Sequence, residues 1–405
     1  MNSSLVYRDR YCNQGTRTYS IHADYTEAAP RYQPQSELAS FALTPWAVPR
    51  ELVRIYTANP PAELLQHYLG PDRVLFCVHP QVLESLPDDP YLLSLQRRGT
   101  AAPAITVAPS SSTRTLYVLD QEPGFHALKV HFPFRVSRYG RKMRDEVVEQ
   151  AIAVSLELEQ AIDRFEPGFA FLREVIGISH RSLDRSDNRG ENWGYLVREM
   201  SPFPLVDGPR ELIPGFALYG ENSLDPDQAP LLFELIGEEK PLGYILERIM
   251  FPLIRHWVNC FRSCGFMLEP HGQNILLELD GAGRIQRLVH RDLSVGIDMR
   301  LRRLQGLSSA HLNQYNRMEN GAFNSITYDM FMGHHFFERL VSCCRQRHPR
   351  LSLAAFQTPC RELFAQIFPE HRDFLPPTIH YFSEQRDQFN KPLYQDTGTP
   401  PRWRP

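Results

Sequence analysis

Two short motifs, HGQN at residues 271–274 and HRDL at residues 290–293, contain side chains that could act on a nucleotide. HGQN looks like a loop that holds a nucleotide or a metal, whereas HRDL spells the beginning of a protein-kinase catalytic loop. A kinase loop requires an asparagine five positions after its aspartate, where it binds a second metal ion. Ile297 stands at that position, and the chain contains no GxGxxG loop, DFG motif or Walker A lysine. A kinase-type phosphotransferase is therefore an alternative that depends on HRDL alone.

The two motifs lie at the two ends of one predicted β-hairpin. Residues 274–280 (NILLELD) and 284–293 (RIQRLVHRDL) are rich in strand-forming residues and flank a short Gly-Ala-Gly turn. A tight hairpin brings its open ends side by side, so polar groups there should converge. The side chains expected to converge are Glu269, His271, Asn274 and Asp292. Carboxylate and amide oxygens suit Mg²⁺, and a neighbouring histidine and arginine could contact phosphate oxygens. The alternative is a surface hairpin with polar ends.

A second group of polar residues lies upstream, on or beside predicted strands. A serine-rich stretch ends in Ser112-Thr113-Arg114-Thr115, just before a strand. Lys129, one of only four lysines in the chain, lies in the next apolar strand, and Arg141 follows that strand. Strand-borne cations beside a loop rich in serine and threonine could cradle a triphosphate. Taken singly, each of these features is more often a simple turn or surface group.

The order of the predicted elements favours an α+β fold, because strands dominate the middle of the chain and helices its last third. The predicted strands cover residues 74–78, 127–136, 169–177 and 193–200, besides the hairpin. The predicted helices cover residues 145–162, 230–237 and 244–265. Residues 1–35 are polar and turn-rich with little periodic pattern, and the Pro-rich end of the chain is expected to be flexible.

Composition excludes several classes of protein. A formal net charge of -3 gives no reason to expect a nucleic-acid binder. Seven cysteines without CxxC spacing, with no signal peptide before them, predict free thiols in a reducing cytoplasm. Charged residues interrupt the longest apolar run, at 244–265, which therefore predicts a buried or amphipathic helix and no membrane span.

Taken in order, the motifs resemble those of one family, the NRPS-independent siderophore (NIS) synthetases of the aerobactin-synthetase (IucA/IucC) type. The matching segments are VHPQ (78–81), SSSTRTL (110–116), LKVHFPFRVSRYGRK (128–142), LVREM (196–200), LEPHGQN (268–274) and HRDLSVG (290–296). Glu-x-His-x-Gln-Asn within LEPHGQN is the most specific of them, and together they span roughly half of the chain. Two departures stand out: the N-terminal part is shorter than in the family, and Ser294 replaces an acidic residue near the metal.

The resemblance implies an α+β fold with β-rich fingers, a palm made of the hairpin and helices, and a reduced N-terminal thumb. The corresponding boundaries are 1–70 for the reduced N-terminal region, 71–205 for the ATP-binding fingers, 206–388 for the palm and 389–405 for a flexible Pro-rich tail.

The resemblance also implies an ATP-dependent ligase. Such an enzyme activates a carboxylate, often that of citrate, as an acyl-adenylate and transfers it to an amine or alcohol, releasing pyrophosphate and AMP. Its cofactors would be ATP and Mg²⁺, and its partners small-molecule substrates, with a homodimer or an association with other pathway enzymes as further possibilities. The departures keep a second hypothesis open: a non-catalytic or repurposed nucleotide- or metabolite-binding partner of a full-length synthetase.

The family motifs carry residue roles onto this chain. Residues expected to bind ATP are Ser112, Arg114, Thr115, Lys129, Arg141, His271 and Gln273. Of these, the residues expected to act in catalysis are Lys129, Arg141 and His271. Residues expected to bind the metal are Glu269, Asn274 and Asp292. Ser137 and Arg198 are candidates for substrate binding, although Arg198 could equally brace the sheet.

Overall fold

A computed structural model describes residues 2–16, 24–137, 139–183, 192–386 and 392–405 of the chain. It confirms the predicted α+β architecture, with sheets concentrated in the first half and helices in the second. The boundaries predicted at residues 70, 205 and 388 stay predictions.

A seven-stranded antiparallel sheet forms the main layer of the first half. Its strands, in spatial order, are β1 (Phe41–Leu43), β6 (Ile105–Pro109), β7 (Thr115–Val118), β8 (His126–Val130), β13 (Gly194–Glu199), β12 (Glu174–His180) and β3 (Val53–Thr57). The central strands β8 and β13 are buried along their whole length, which explains why both read as short apolar runs in the sequence. Strands β1 and β3 precede residue 71, so the sheet draws on both sides of the predicted boundary.

One long helix, α5 (Asp145–Gln160), packs against this sheet and confirms the helix predicted at 145–162. Its apolar face includes Val148 and Ile152, which are buried against β12 and β13. The helix lies close to the sheet because Gly177 has no side chain. A Cβ atom at that position would lie 2.6 Å from Cγ1 of Val148, closer than two carbon atoms can pack.

Four smaller sheets of two or three strands each accompany the large sheet in the described residues. The first holds β2 (Trp46–Pro49), β4 (Arg73–Phe76) and β5 (Thr100–Ala101), and a two-stranded one holds β9 (Phe132–Val136) and β10 (Tyr139–Arg141). A third holds β15 (Phe266–Met267), β18 (Gly296–Asp298) and β19 (Arg317–Met318), and the last holds β20 (His380–Arg386) and β21 (Pro392–Asp396).

The predicted hairpin is confirmed and is the centre of a further, four-stranded sheet. Strands β16 (Ile275–Leu279) and β17 (Ile285–His290) pair antiparallel, flanked by β14 (Glu211–Pro214) and, in parallel, by β11 (Phe169–Phe171). Beyond the last paired residues, the Arg291 amide donates to the Asn274 carbonyl at 2.9 Å. That hydrogen bond extends the ladder to the open end of the hairpin and brings HGQN beside Arg291-Asp292, as the spacing predicted.

Helices build most of the second half around one apolar core. Two are long and continuous: α7 (Pro241–Ile245), a π-helical segment (Leu246–Met250) and α8 (Phe251–Cys264) form one, and α10 (Ala322–Ser325), a π-helical segment (Ile326–Phe337) and α11 (Glu338–Arg347) form the other. The remaining helices are α1 (Asn2–Tyr11), α2 (Ala62–Tyr68), α3 (Pro80–Ser85), α4 (Pro90–Arg98), α6 (Leu231–Ile236), α9 (Met299–Leu304) and α12 (Leu353–Ile367).

The N-terminal segment is more ordered than its composition suggested, because residues 2–11 form helix α1. Its apolar residues Leu5 and Val6 are buried, and the guanidinium of Arg10 donates to four backbone carbonyls in the segment 34–39. A polar decapeptide has little intrinsic tendency to remain helical, so contacts with the rest of the fold stabilise it. Those contacts join residues distant in sequence, and a periodicity search cannot detect them.

The structure also corrects the flexible tail predicted at 389–405, of which residues 389–391 lie outside the described residues. Residues 392–396 form β21, and Trp403 and Arg404 are each 1% exposed. The Arg404 guanidinium donates to both carboxylate oxygens of Asp329 at 2.9–3.2 Å, which anchors the end of the chain to the second long helix. The prolines of this tail therefore do not prevent a strand or buried tertiary contacts from forming.

Within the described ranges, no helix is long and apolar enough to cross a membrane. All seven cysteines are free, and six of them are buried, in agreement with the predicted free thiols.

Candidate active site

A cavity of about 250 Å³ lies between the large sheet and the hairpin, and it collects the polar residues singled out in the sequence. All twelve candidates line it: Ser112, Arg114, Thr115, Lys129, Ser137, Arg141, Arg198, Glu269, His271, Gln273, Asn274 and Asp292. Residues up to 180 positions apart in the chain therefore meet in one place, as an active site requires. Their individual roles stay predictions, and the geometry determines which roles are physically reasonable.

The serine-rich loop between β6 and β7 is held by its own side chains. The hydroxyls of Ser110 and Ser112 lie 2.9 Å apart, and the Thr115 amide donates to the Ser112 hydroxyl at 3.3 Å. Thr113 adopts a positive φ of 67°, a left-handed conformation that is uncommon for threonine. Such a tight polar turn at a strand end presents hydroxyl and amide groups to the cavity, as a phosphate-binding loop does.

Lys129 and Asp292 form the ion pair that joins the two walls of the cavity. Lys129 is buried in β8, opposite Thr115 of β7, and its Nζ donates to Asp292 Oδ1 at 2.6 Å. Burial alone would raise the pKa of Asp292, but the charges of Lys129, Arg198 and Arg114 outweigh it and lower that pKa. Asp292 adopts a positive φ of 74°, an uncommon backbone conformation of the kind that clusters at functional sites.

Arg114 and Arg141 bring two cations to the cavity without acidic partners. The Arg114 guanidinium donates to the Arg141 carbonyl at 3.1 Å and contacts Met143 Sδ, and neither arginine forms an ion pair within the described residues. Burial, and then repulsion by Arg141, lowers the pKa of Arg114 to about 10, so it stays charged at neutral pH. Two enclosed guanidinium groups that repel each other are stabilised by a bound anion.

Arg198 and Ser137, the two candidates for substrate binding, differ in what they contact. Arg198 donates to Glu174 Oε1 at 2.6 Å, and both side chains are buried, so the arginine does brace strands β12 and β13. Its Nε has no hydrogen-bond partner among the described residues, and neither has the buried hydroxyl of Ser137. Buried polar groups normally have hydrogen-bond partners, so a ligand in the cavity could form hydrogen bonds with this Nε and this hydroxyl.

Glu269, Asn274 and Asp292 place two carboxyl groups and an amide oxygen on the hairpin side of the cavity. Burial, and then the charge of Asp292, raises the pKa of Glu269 to about 8, although Lys129 and Arg141 oppose this. Across the described residues, no three His, Cys, Asp or Glu side chains are gathered into a metal centre. Mg²⁺ does not require one, since it is usually held by one or two carboxylates together with substrate phosphates. The three oxygen donors therefore fit a magnesium ion that arrives with a nucleotide.

His271 and Gln273 are oriented by the turn that contains them. The Gln273 amide donates to His271 Nδ1 at 3.3 Å, which places the ring proton of the neutral histidine on Nε2. Burial lowers the pKa of His271 to about 4, so at neutral pH the ring is an uncharged hydrogen-bond donor. Gly272 allows the turn to pack against its surroundings, because a Cβ atom there would overlap the hydroxyl of Tyr219.

The cavity also has an aromatic wall, which no sequence motif indicated. Phe331 and His335 belong to the second π-helical segment, and Tyr381 and Phe382 to β20. Of the adjacent histidines in this segment, His334 is exposed, whereas His335 is buried and lines the cavity. π-Helical segments frequently occur at functional sites, but neither that segment nor β20 contains a recognisable motif.

Two family models match the chain. Residues 24–220 match the model described as the IucA / IucC family, and residues 242–391 match the one described as ferric iron reductase FhuF-like transporter. No curated protein matches by sequence.

Solved structures with the same fold cover nearly the whole chain. The ATP-bound aerobactin synthetase IucA from a hypervirulent pathotype of Klebsiella pneumoniae superposes with a TM-score of 0.69 at 17% identity, over 92% of this chain and 74% of that one. The aerobactin synthetase IucC from the same source gives 0.69 at 16% identity, over 91% and 70%. The petrobactin biosynthesis protein AsbB from Bacillus anthracis str. Sterne gives 0.66 at 14% identity, over 90% and 68%. At these identities the likeness is one of fold.

Proposed function

Since the chain belongs to the IucA/IucC family of NIS synthetases, we propose that it is an ATP-dependent ligase in siderophore or related small-molecule biosynthesis. It would join a carboxylate, citrate or a similar acid, to an amine or alcohol through an acyl-adenylate. The fold and the family describe the class of protein, whereas the reaction and its substrates are our proposal. One observation carries the proposal. Arg114 and Arg141 line a cavity and have no acidic partner among the described residues, and they lie beside two carboxyl groups that suit Mg²⁺.

The first step of the proposed reaction brings two anions together. A carboxylate oxygen attacks the α-phosphorus of ATP, the bond from that phosphorus to the oxygen bridging to the β-phosphate breaks, and pyrophosphate leaves. Such a step depends on charge neutralisation and in-line positioning more than on proton transfer. In this proposal the Ser112–Thr115 loop and Arg114 hold the phosphates, while Lys129 and Arg141 stabilise the charge at the α-phosphate and the incoming carboxylate.

The hairpin side completes the nucleotide site. Neutral His271 donates a hydrogen bond to the phosphates, and Gln273 orients the loop or contacts the ribose. Glu269, Asn274 and Asp292 would hold Mg²⁺, which neutralises phosphate charge. Lys129 keeps Asp292 charged and ready for the metal, because it holds the pKa of that carboxyl low.

The second step releases AMP. The nitrogen of an amine, or the oxygen of an alcohol, attacks the acyl carbon, the bond from that carbon to the AMP oxygen breaks, and the nucleophile loses a proton to a base. The aromatic wall adds uncharged surface to the same cavity. Ser137 and Arg198 are the proposed contacts of the carboxylate substrate, through the hydroxyl and the Nε that have no partner among the described residues.

A product assay separates this function from its alternatives. The purified chain is incubated with MgATP, a panel of carboxylates that includes citrate, and a panel of amines and alcohols, and its nucleotide products are resolved. We expect AMP and pyrophosphate in amounts that depend on the carboxylate. ADP and phosphate would indicate a phosphotransferase instead, and ATP binding without turnover on any combination would favour a non-catalytic partner of another synthetase.

Replacing Arg141 with alanine should lower carboxylate-dependent pyrophosphate release by about 10²–10³-fold, the usual cost of one preorganised charge donor. Arg141 has no ion pair to lose within the described residues, so the free energy of unfolding should change little. The matched control is Arg98→Ala, which removes an exposed arginine paired with Glu51 in the same half of the chain. Equal rates for the two variants would remove Arg141 from the mechanism.

A further inference from the structure

Arg291 is the residue before Asp292, and all three nitrogen atoms of its guanidinium group donate hydrogen bonds within the protein. Its Nε donates to the Gln273 carbonyl at 2.6 Å, one terminal nitrogen to the Tyr117 hydroxyl at 2.9 Å, and the other to Asp9 Oδ1 at 2.7 Å. Burial alone would lower the pKa of Arg291, but Asp9 and Tyr117 outweigh it and raise that pKa. Arg291 is therefore a fixed cation that holds the HGQN turn by its backbone.

The carboxylate of Asp9 is the point where several segments of the site meet. It is fully buried, and it accepts hydrogen bonds from the Ser111 amide and hydroxyl, both at 3.1 Å, and from the Tyr117 hydroxyl at 2.9 Å, besides Arg291. Four donors on one ionised carboxylate form a strong and directional arrangement. Gln273 closes the network, since its side-chain amide donates to the Ser111 hydroxyl at 3.1 Å.

The partners of Asp9 place it at the junction of both walls of the cavity. Ser111 belongs to the serine-rich loop, and Arg291 lies between the hairpin and Asp292, and both line the cavity, whereas Asp9 does not. Asp9 comes from α1, which precedes residue 24, where the match to the family model begins. A residue outside the matched region thus connects the two segments expected to hold the phosphates and the metal.

Some other buried ion pairs serve the fold without contacting the site. The pair of Arg302 with Glu157 joins the helical half to α5 at 2.8 Å, and neither residue lines the cavity. Asp9 differs because two of its three partner residues are cavity residues. A network of this kind fixes the relative position of the cavity residues that it contacts. Losing such a network typically weakens binding or activity by about 10–100-fold.

We propose that Asp9 is a positioning residue of the nucleotide site, and that helix α1 completes this site by holding the serine-rich loop and Arg291 at the spacing that ATP requires. This inference rests on the proposed function for the identity of the nucleotide. Asp9 acts through Ser111 and Arg291 and does not touch the substrate. Removing its charge should loosen the phosphate loop relative to the hairpin, even where the protein stays folded.

The test measures the dissociation constant of MgATP by calorimetry, together with the thermal midpoint of each variant. Asp9→Asn keeps the shape of the side chain, removes its charge, and turns one acceptor into a donor beside other donors. Its dissociation constant should rise at least about 10-fold. Arg302→Met should lower the thermal midpoint by breaking a buried pair outside the cavity lining, yet leave the dissociation constant within about two-fold, since it removes no ligand contact.

Two further variants keep the test decisive if Asp9→Asn does not fold. Tyr117→Phe removes only the hydroxyl that bridges Asp9 and Arg291, without changing the cavity lining, and should raise the dissociation constant by several-fold, about the value of one neutral hydrogen bond. Arg8→Gln is a control on the same helix. It removes a partly exposed contact with Glu211 at 3.5 Å and should not change the dissociation constant of MgATP.

Each outcome has one meaning. Unchanged MgATP binding by folded Asp9→Asn or by Tyr117→Phe overturns the inference, as does an equal rise in Arg302→Met. If the unmodified chain binds MgATP but ligates nothing, the proposed function fails while the effect of Asp9 on the dissociation constant still decides the inference. If the unmodified chain does not bind MgATP, both fail.

Discussion

Replacing Lys129 with methionine should lower carboxylate-dependent pyrophosphate release by about 10²–10³-fold. Methionine fills the same volume in β8 but removes the ammonium group that lies 2.6 Å from Asp292 Oδ1. The site then loses the cation proposed to neutralise the α-phosphate, and Asp292 loses the nearest charge that keeps its pKa low. The substitution therefore removes both proposed roles of Lys129, which are to bind the reacting phosphate and to keep Asp292 ionised as a metal ligand.

The measurement is pyrophosphate release at saturating ATP and carboxylate, with circular dichroism to verify folding. Lys240→Met, which alters an exposed lysine, is the control and should keep the unmodified rate. A folded Lys129→Met protein that released pyrophosphate at the unmodified rate would contradict the proposed role. Higher Mg²⁺ should not restore the rate, because the metal cannot replace an ammonium group fixed within the sheet.

Replacing Arg404 with alanine should lower the free energy of unfolding by about 3–5 kcal/mol, although the residue is second from the end of the chain. Arg404 and Asp329 form a buried pair with two-pronged geometry, and Arg404 also donates to the Pro376 carbonyl at 2.7 Å. Without the guanidinium, the Asp329 carboxylate stays buried and loses its only ion-pair partner among the described residues. That uncompensated charge is the main cause of the expected loss.

Urea denaturation of the full chain checks this expectation through the transition midpoint at an unchanged slope. Arg402→Ala is a matched control two residues away, because Arg402 is half exposed and its ion pair with Glu338 should contribute at most about 1 kcal/mol. Equal midpoints for the two variants would show that the tail is not anchored as described. Asp329 lies two residues before Phe331, so the Arg404 variant should also disturb the aromatic wall of the cavity.

Residue type and spacing were sufficient to predict the hairpin. Alternation and the Gly-Ala-Gly turn are local signals, and they determined that HGQN and Arg291-Asp292 lie side by side. The same local reasoning weakened the kinase interpretation of HRDL, since Ile297 stands where a kinase loop requires an asparagine. Helix α5 and the central strands followed from apolar periodicity in the same way, because the core imposes that pattern on the sequence.

Contacts between distant segments were beyond that reasoning. The helix that carries Asp9 has no amphipathic pattern, and the tail that carries Arg404 is rich in proline, yet each contributes a buried charge to a distant partner. The aromatic wall comes from segments with no motif, so only the folded chain reveals that Phe331 and Tyr381 line the same cavity as the cations.

The sequence by itself determined the chemical types gathered at the site, the local elements that present them and the family they resemble. Tertiary structure alone decided which charges are neutralised and which are left for a ligand. Lys129, Arg198 and Arg291 each have a carboxylate partner, whereas Arg114 and Arg141 have none within the described residues. The physical reason is that a charge-pair energy depends on distance and burial, and both are properties of the folded arrangement.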